Sequence, residues 1–249
     1  DSDGRYRLPG LSGPGVLLVT SLDPGYPLAA GAETIDGYDP STGKIPTLPV
    51  PFPASDWHLL KQINPAKDAT SLTSDLTLDG GVRIPGRVVG PDGKPISNLY
   101  ALGLTEGDPY WTPNSPDKAL LTERFMVNGY DGKGPRQSFF KNQDETLVGQ
   151  YRLEGTAPPE IAVKLEPSVR VTGRLIENET GLPAARYFVG CQELLLNGNA
   201  PPLDFMIRWC HTNNAGEFEI KGLMAGHVYK MKAHNRIGNK VDFTIDLTK

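Results

Sequence analysis

Val82-Arg83-Ile84-Pro85-Gly86-Arg87-Val88-Val89 is the stretch that decides the fold, because a close copy of it occurs 87 residues later. The copy is Val169-Arg170-Val171-Thr172-Gly173-Arg174-Leu175-Ile176, and both copies lead into a polar turn that contains a glycine and ends at a proline. A repeat of this period is the size of a small β-sandwich. The repetition therefore predicts tandem domains, each built as a copy of one β unit.

A second phrase recurs in the chain and marks a later strand of each unit. Ala215-Gly216-Glu217-Phe218-Glu219-Ile220-Lys221-Gly222-Leu223 matches Asp3-Gly4-Arg5-Tyr6-Arg7-Leu8-Pro9-Gly10-Leu11, and Arg124-Phe125-Met126-Val127-Asn128-Gly129-Tyr130 keeps the strand and the glycine. The polar residue before glycine favours a turn with a left-handed residue. If the copies are equivalent, Phe125 and Phe218 are buried at corresponding positions.

Composition supports many short strands joined by turns. The 249 residues include 28 glycines and 23 prolines, and only 38% are hydrophobic, so each core must be small. Turn residues at this density, with no alternation of strands and long helices, favour antiparallel sheets. We therefore predict an all-β fold of tandem Greek-key β-sandwiches, transthyretin-like or immunoglobulin-like, with no helix longer than a turn or two.

The repeats divide the chain into three predicted units. Residues 1–78 form a partial first sandwich with a long irregular insertion at 21–56, and residues 79–165 and 166–249 form two complete sandwiches. Apolar alternation predicts strands at 58–63 and 71–78 in the first unit. The proline-containing connection at 165–168 is so short that we expect the second and third units to be joined tightly.

The apolar run at 16–19 raises the question of what covers it. If residues 1–20 are late strands of a sandwich, their early partners precede them, and a half sandwich exposes apolar surface and strand edges. Residues 21–56 could fold back over it, a cleaved upstream segment could remain bound, or a second chain could complete the sheet. We expect another polypeptide to do so, because 21–56 is rich in polar residues.

Charge and hydropathy exclude several classes of partner. The net charge is −4 and no basic run occurs, so a nucleic-acid partner is not expected. No apolar run is long enough to span a membrane, and no signal peptide is visible. Because the first residue falls inside a repeated phrase, we expect the natural protein to extend upstream.

Two stretches carry a resemblance to a known family. Gly86-Arg87-Val88-Val89-Gly90-Pro91-Asp92-Gly93-Lys94-Pro95-Ile96 resembles the opening of a carboxypeptidase regulatory-like domain, and 214–223 is similar to a later strand of that family. The resemblance implies transthyretin-like or prealbumin-like sandwiches, related to collagen-adhesin B-type modules, of the kind found in tandem in large multidomain bacterial proteins. It also implies an accessory domain without catalytic residues.

The function that follows is a non-catalytic structural or interaction array within a larger extracytoplasmic bacterial protein or assembly, whether periplasmic, cell-surface or secreted. Its expected partners are other chains or domains of the parent protein. The alternative is a carbohydrate-binding accessory module of a hydrolase, with a glycan as ligand. No cofactor is expected in either case.

Few residues carry candidate chemistry. Cys191 and Cys210 are the two cysteines, and they are either buried free thiols or a disulfide that would indicate an oxidising compartment. The four histidines, His58, His211, His227 and His234, lack metal-ligand spacing, so no metal site is expected.

Aromatic residues are the remaining candidates. Tyr110 and Trp111 lie in a loop, where they either bind a glycan or partner, or cap the end of the sandwich or pack on the neighbouring domain. Trp209 lies in a predicted strand, and we expect it to pack in the core or against a neighbouring domain.

Overall fold

The computed structural model describes residues 4–10, 12–23, 25–45, 53–105, 119–120, 122–194, 208–235 and 240–247. Within these ranges the regular structure is almost entirely β-strand, and the helices are two 3-10 turns at Ala32–Thr34 and Ala54–Asp56. The prediction of an all-β fold is confirmed. No helix in the described part of the chain has the length and apolar character needed to cross a lipid bilayer. The chain forms two compact units: residues 1–82 with 128–131, and residues 83–127 with 132–249.

The first unit has a two-stranded sheet over a small core. Strand β1 (Gly15–Val19) pairs antiparallel with β2 (Leu59–Ile63). Val16 and Leu18 pack against a buried cluster drawn from residues 32–60 of the same chain. Alanines and isoleucines within the polar insertion thus cover part of β1 from within the chain, while all five residues of the strand stay half-buried. Completion of this sheet by another polypeptide stays a prediction.

Two other segments of the first unit differ from their predicted strands. Residues 71–78 form no strand; the carbonyls of Ser74 and Asp75 instead accept bonds from Tyr6 Oη (2.7 Å) and Lys61 Nζ (3.0 Å). Residues 5–10 also lack strand structure and are exposed, in contrast to the strands formed by the two later copies of the phrase. Apolar alternation is not sufficient where no neighbouring strand offers backbone partners.

The second sandwich contains two sheets. The strands are β3 (Val82–Val89), β4 (Leu99–Leu102), β5 (Ala119–Leu120), β6 (Arg124–Tyr130), β7 (Arg136–Asn142), β8 (Leu147–Leu153), β9 (Ile161–Lys164) and the short β10 (Glu166–Pro167). One sheet has the order β6-β3-β9 and the other the order β10-β8-β7-β4-β5. β9 runs parallel to β3, with Gly86 opposite Ile161 and Val89 opposite Lys164.

A glycine and a phenylalanine organise the core of this sandwich. Phe125 on β6 is 5% exposed, and its ring lies over Gly86 of β3 so closely that a Cβ atom there would overlap it. On its other side Phe125 meets Phe140 of the opposite sheet, with ring centroids 4.7 Å apart. The glycine therefore provides the space that lets one aromatic ring connect the two sheets.

The third sandwich repeats this plan. Its strands are β11 (Val169–Arg174), β12 (Phe188–Leu194), β13 (Arg208–His211), β14 (Glu217–Leu223), β15 (Val228–His234) and β16 (Lys240–Asp246). They form a sheet β11-β14 and a sheet β13-β12-β15-β16. Phe218 on β14 is 8% exposed and lies over Gly173 of β11, where an added Cβ would come within 2.5 Å of the ring. The predicted equivalence of Phe125 and Phe218 is confirmed.

The second and third sandwiches share one buried cluster. Leu102 and Phe139, from the second sandwich, are packed into the same cluster as Val189, Leu223 and other core residues of the third. We call this set of residues the shared cluster; its buried members are Leu102, Phe139, Val189, Cys191, Phe218, Ile220, Leu223, Tyr229, Met231 and Ala233. The two sandwiches are therefore joined through their cores, with β10 ending at Pro167 and β11 beginning at Val169.

Candidate functional site

The outward face of the third sandwich carries a group of aromatic side chains on three adjacent strands. In the sheet register, Phe188 of β12 lies between His211 of β13 and His234 of β15, and Gly190 lies opposite Trp209. Paired residues of neighbouring strands point to the same face. The register therefore places Phe188, Trp209, His211 and His234 together, and we call these four residues the aromatic surface.

The rings of the aromatic surface contact one another. Phe188 stacks on Trp209 with centroids 5.6 Å apart and planes inclined by 25°, and it lies 4.8 Å from His234 at 32°. His211 meets the Trp209 ring edge-on at 5.6 Å. Trp209 remains 40% exposed, and both histidines are exposed. The result is an exposed aromatic area edged by imidazole groups that can donate and accept hydrogen bonds.

A buried hydroxyl fixes the strand end that carries His211. Thr212, which is 3% exposed, donates from Oγ1 to the carbonyl oxygen of Ala184 at 2.6 Å and accepts a bond from the Tyr187 backbone N–H at 2.9 Å. Both hydrogen bonds link β13 to the segment that leads into β12. Because buried hydrogen bonds of this kind hold a segment in one geometry, the aromatic surface has a fixed backbone support.

Asn235 and Tyr187 form a polar contact on the inner face of the same sheet, opposite the aromatic surface. Asn235 follows His234 and donates from Nδ2 to Tyr187 Oη at 3.1 Å. Tyr187 Oη in turn lies 3.4 Å from a carboxylate oxygen of Glu177 and donates to it. An amide, a phenol and a carboxylate are thus connected behind the aromatic surface, on the other face of the sheet.

The two cysteines lie on neighbouring strands but are not paired in register. Cys210 of β13 is opposite Val189, and Cys191 is two residues further along β12. Diagonal neighbours of this kind are separated by about 7–8 Å, whereas a disulfide needs Cβ atoms about 3.8 Å apart. Both are free thiols in the structure; Cys191 is fully buried and Cys210 is half-buried. Burial, with a smaller contribution from the charge of Glu219, raises the pKa of the Cys210 thiol.

We expect the purified protein to contain no disulfide and two thiols of unequal reactivity. Since the thiolate is the reactive form, the raised pKa should keep labelling of Cys210 slow at neutral pH and let it accelerate as pH rises toward and through that pKa. Cys191 should label only on unfolding. Mass spectrometry after alkylation, with and without denaturant and reductant, measures both effects. An intact mass two hydrogens lower than that of the reduced protein, found without added oxidant, would indicate a disulfide and contradict this expectation. Labelling of Cys191→Ser shows which of the two cysteines carries the label.

The loop aromatic residues and the histidine of the first unit are the remaining sequence-derived candidates. Tyr110 and Trp111 lie outside the described residues. His58 lies in the first unit, where its Nδ1 accepts a bond from the Ser21 backbone N–H at 2.9 Å. In the described ranges, no three histidine, cysteine or acidic side chains are grouped so that they could hold a metal ion.

The aromatic surface was not predicted from the sequence, and the expectation that Trp209 packs in the core is wrong, since the side chain is 40% exposed. Trp209 lies on the outward face because the inward positions of β13 are those of Cys210 and of Thr212, which follows the strand. The sequence does contain a signal for this surface: Phe188 and Gly190 occupy alternate positions of one strand, and Trp209 and His211 occupy alternate positions of the next. Only the register between the two strands shows that these residues meet.

Comparison with known proteins identifies a similarity in structure to a pilin. No protein-family model matches the chain, and no curated protein is significantly similar to it. Among solved structures the chain is similar to a streptococcal ancillary pilin, with 11% sequence identity, a TM-score of 0.26, and coverage of 82% of this chain and 70% of that chain.

Proposed function

We propose that this chain is a non-catalytic structural and interaction array of β-sandwich modules within a larger extracytoplasmic bacterial protein or assembly. Its modules are of the carboxypeptidase regulatory-like kind that the repeated Gly86 and Gly173 stretches resemble. The task of such an array is to hold a binding surface at a fixed place and to present it to another polypeptide.

The aromatic surface is the observation that carries this proposal. Exposed contiguous aromatic groups on a soluble domain mark binding sites, because leaving them in water is unfavourable. Tryptophan and tyrosine side chains also supply the largest single contributions in protein interfaces. Trp209 is 40% exposed while stacked on Phe188, so its ring is held in place and accessible at the same time.

Rigidity of the support favours the same function. The sheet that carries the aromatic surface has its inner face in the shared cluster, through Val189, Met231 and Ala233. A surface held in this way loses little conformational entropy when it binds a partner. The second sandwich thus acts as a fixed base for the surface on the third.

Carbohydrate binding is the second candidate, and one observation favours it. The planes of Phe188 and Trp209 are nearly parallel, and the histidines at the edge can hydrogen-bond to hydroxyl groups. Sugar rings bind aromatic planes with their apolar faces and bond to polar groups at the rim. The chain would then serve as an accessory module beside a hydrolase.

A glycan array and a fluorescent probe for apolar surface, applied to wild type and Trp209→Ala, separate these functions. For the interaction array we expect the probe ANS to bind wild type, its enhanced fluorescence to fall by about half in Trp209→Ala, and no glycan signal to depend on Trp209. Glycan binding that is lost in Trp209→Ala would replace the primary function with the carbohydrate-binding one. Unchanged ANS fluorescence in the variant would overturn the aromatic surface as a site.

Leu182→Ala is the matched control. Leu182 belongs to the same sandwich and is 62% exposed, but it lies outside the aromatic surface. Its removal should leave both readouts near wild type. Circular dichroism of all three proteins confirms that the sheets are retained.

A further inference from the structure

The second and third sandwiches agree strand by strand at their first strands. β3 pairs with β6 as β11 pairs with β14, and each pair contains the glycine beneath a phenylalanine. After the strand, both chains turn back to a proline, with bridges between Val89 and Pro95 and between Ile176 and Pro183. Position by position, β11 is the counterpart of β3.

The sandwiches differ at the other edge of this strand. In the second sandwich β9 lies there, parallel to β3. In the described part of the third sandwich β11 belongs to a two-stranded sheet, so β14 is its one strand neighbour. Among its described residues, the third sandwich thus has an edge where the second has a strand.

The backbone groups at this edge are oriented outward. The N–H of Leu175 donates to the Gly216 carbonyl at 2.8 Å, which places the odd-numbered residues of β11 in hydrogen-bonded pairs with β14. In an antiparallel pair the intervening residues turn their N–H and C=O groups to the opposite edge. Thr172 and Arg174 are those residues. In the second sandwich the same edge is used, since Val89 accepts a bond from the Leu165 N–H at 2.8 Å.

Apolar side chains along β11 are also less covered than those of β3. Ile84 and Val88 of β3 are 1% and 0% exposed, whereas their counterparts Val171 and Leu175 are half-buried at the edge of the shared cluster. In the second sandwich, cover comes from Ile161, Val163 and Leu165, all no more than 1% exposed. A strand with apolar residues at alternate positions supplies this cover, and the described part of the third sandwich has no such strand beside β11.

We propose that the free edge of β11 binds an extended segment of a partner polypeptide, which adds as a strand parallel to β11. The added strand carries apolar residues at alternate positions, as Ile161, Val163 and Leu165 do in the second sandwich. Its outward position beside Arg174 corresponds to Ala162 beside Arg87 and favours a carboxylate, because the Arg174 guanidinium, whose Nε donates to the Ala215 carbonyl at 2.8 Å, lies on that face. Arg170 on the same face is already paired with Glu219 at 3.3 Å. This site rests on the proposed interaction function and specifies its partner as a β-strand peptide.

The test uses a labelled peptide with the sequence of residues 160–167, Glu-Ile-Ala-Val-Lys-Leu-Glu-Pro, titrated into the 249-residue chain by fluorescence polarisation and amide NMR. We expect saturable binding with protection of the Thr172 and Arg174 amides from hydrogen exchange. N-methylation at the peptide valine removes an N–H that faces β11 and should weaken binding about tenfold. N-methylation at the neighbouring lysine, whose N–H faces away, is the matched control and should leave binding nearly unchanged.

A variant of the protein tests the same contact from the other side. Arg174→Pro removes the edge-facing N–H and should weaken binding by about the same factor as the N-methyl valine peptide, whereas Arg174→Ala keeps the N–H and should retain most of the affinity. Binding of the peptide carrying glutamate in place of its alanine should be stronger than that of the parent peptide at low salt.

Several results would overturn the proposal. These are no saturable binding at millimolar peptide, equal weakening by the two N-methyl peptides, or binding lost in Trp209→Ala but not in Arg174→Pro. The last of these would move the peptide to the aromatic surface and leave the interaction function standing. A dimer of the chain in which the Thr172 and Arg174 amides are protected without peptide would identify a second copy as the occupant instead.

Discussion

Phe125→Ala is expected to lower the free energy of unfolding by about 3–5 kcal/mol, the cost of removing a buried aromatic ring from a core that cannot close over the space. Phe125 fills the gap between Gly86 and Phe140, and neither the glycine nor the opposite sheet offers atoms to replace it. Urea or guanidinium unfolding followed by circular dichroism measures the change. Met126→Ala, on the same strand but 41% exposed, is the control and should change stability by about 0.5 kcal/mol or less.

A substitution at Gly86, the glycine beneath the Phe125 ring, tests the same packing in a second way. Gly86→Ala alone should destabilise the protein by about 1–3 kcal/mol, because its methyl group would overlap the Phe125 ring. In the Phe125→Ala background that overlap is gone, so the same substitution should cost much less. Strictly additive effects in the double-mutant cycle would show that Gly86 and Phe125 do not pack as a pair.

Leu102→Ala is expected to cost about 2–5 kcal/mol and to destabilise the third sandwich as well as the second, although Leu102 belongs to the second. Leu102 is 1% exposed and lies in the shared cluster with Leu223 and Met231. Hydrogen exchange measured by mass spectrometry should show faster exchange in peptides covering β14 and β15. Wild type should show one calorimetric transition for the two sandwiches together.

Leu153→Ala is the control for this effect. Leu153 is also buried in the second sandwich, at 3% exposed, but is not part of the shared cluster. It should lower the stability of the second sandwich while changing exchange in β14 and β15 less than Leu102→Ala does. Equal effects of the two variants on the third sandwich would argue against coupling through the shared cluster.

The repeats make much of the fold predictable. The internal copies identify β3 and β11 and place Phe125 and Phe218 at equivalent positions from residue identities alone. Turn residues predict where further strands begin, as glycine and asparagine do near Gly216. Both signals depend on residues that are close in sequence.

What depends on strand neighbours could not be predicted. Residues 71–78 have the alternation of a strand but pair with no strand in the described part of the chain. The polar insertion packs against Val16 and Leu18 with scattered alanines and isoleucines that have no periodic pattern. The aromatic surface was missed for the same reason. Its four rings come from three strands, and their meeting is a property of register alone.

The shared cluster also determines how this part of the chain would behave under mechanical load. A joint made of a flexible linker yields first when a chain is pulled, and it absorbs extension without loss of structure. The connection from Leu165 to Val169 contains no flexible linker, because β10 is hydrogen-bonded to β8 and the flanking residues pack in the cores of the sandwiches. Tension would pass directly from one sandwich into the next, so this pair would bear force as a single stiff element rather than as a hinge.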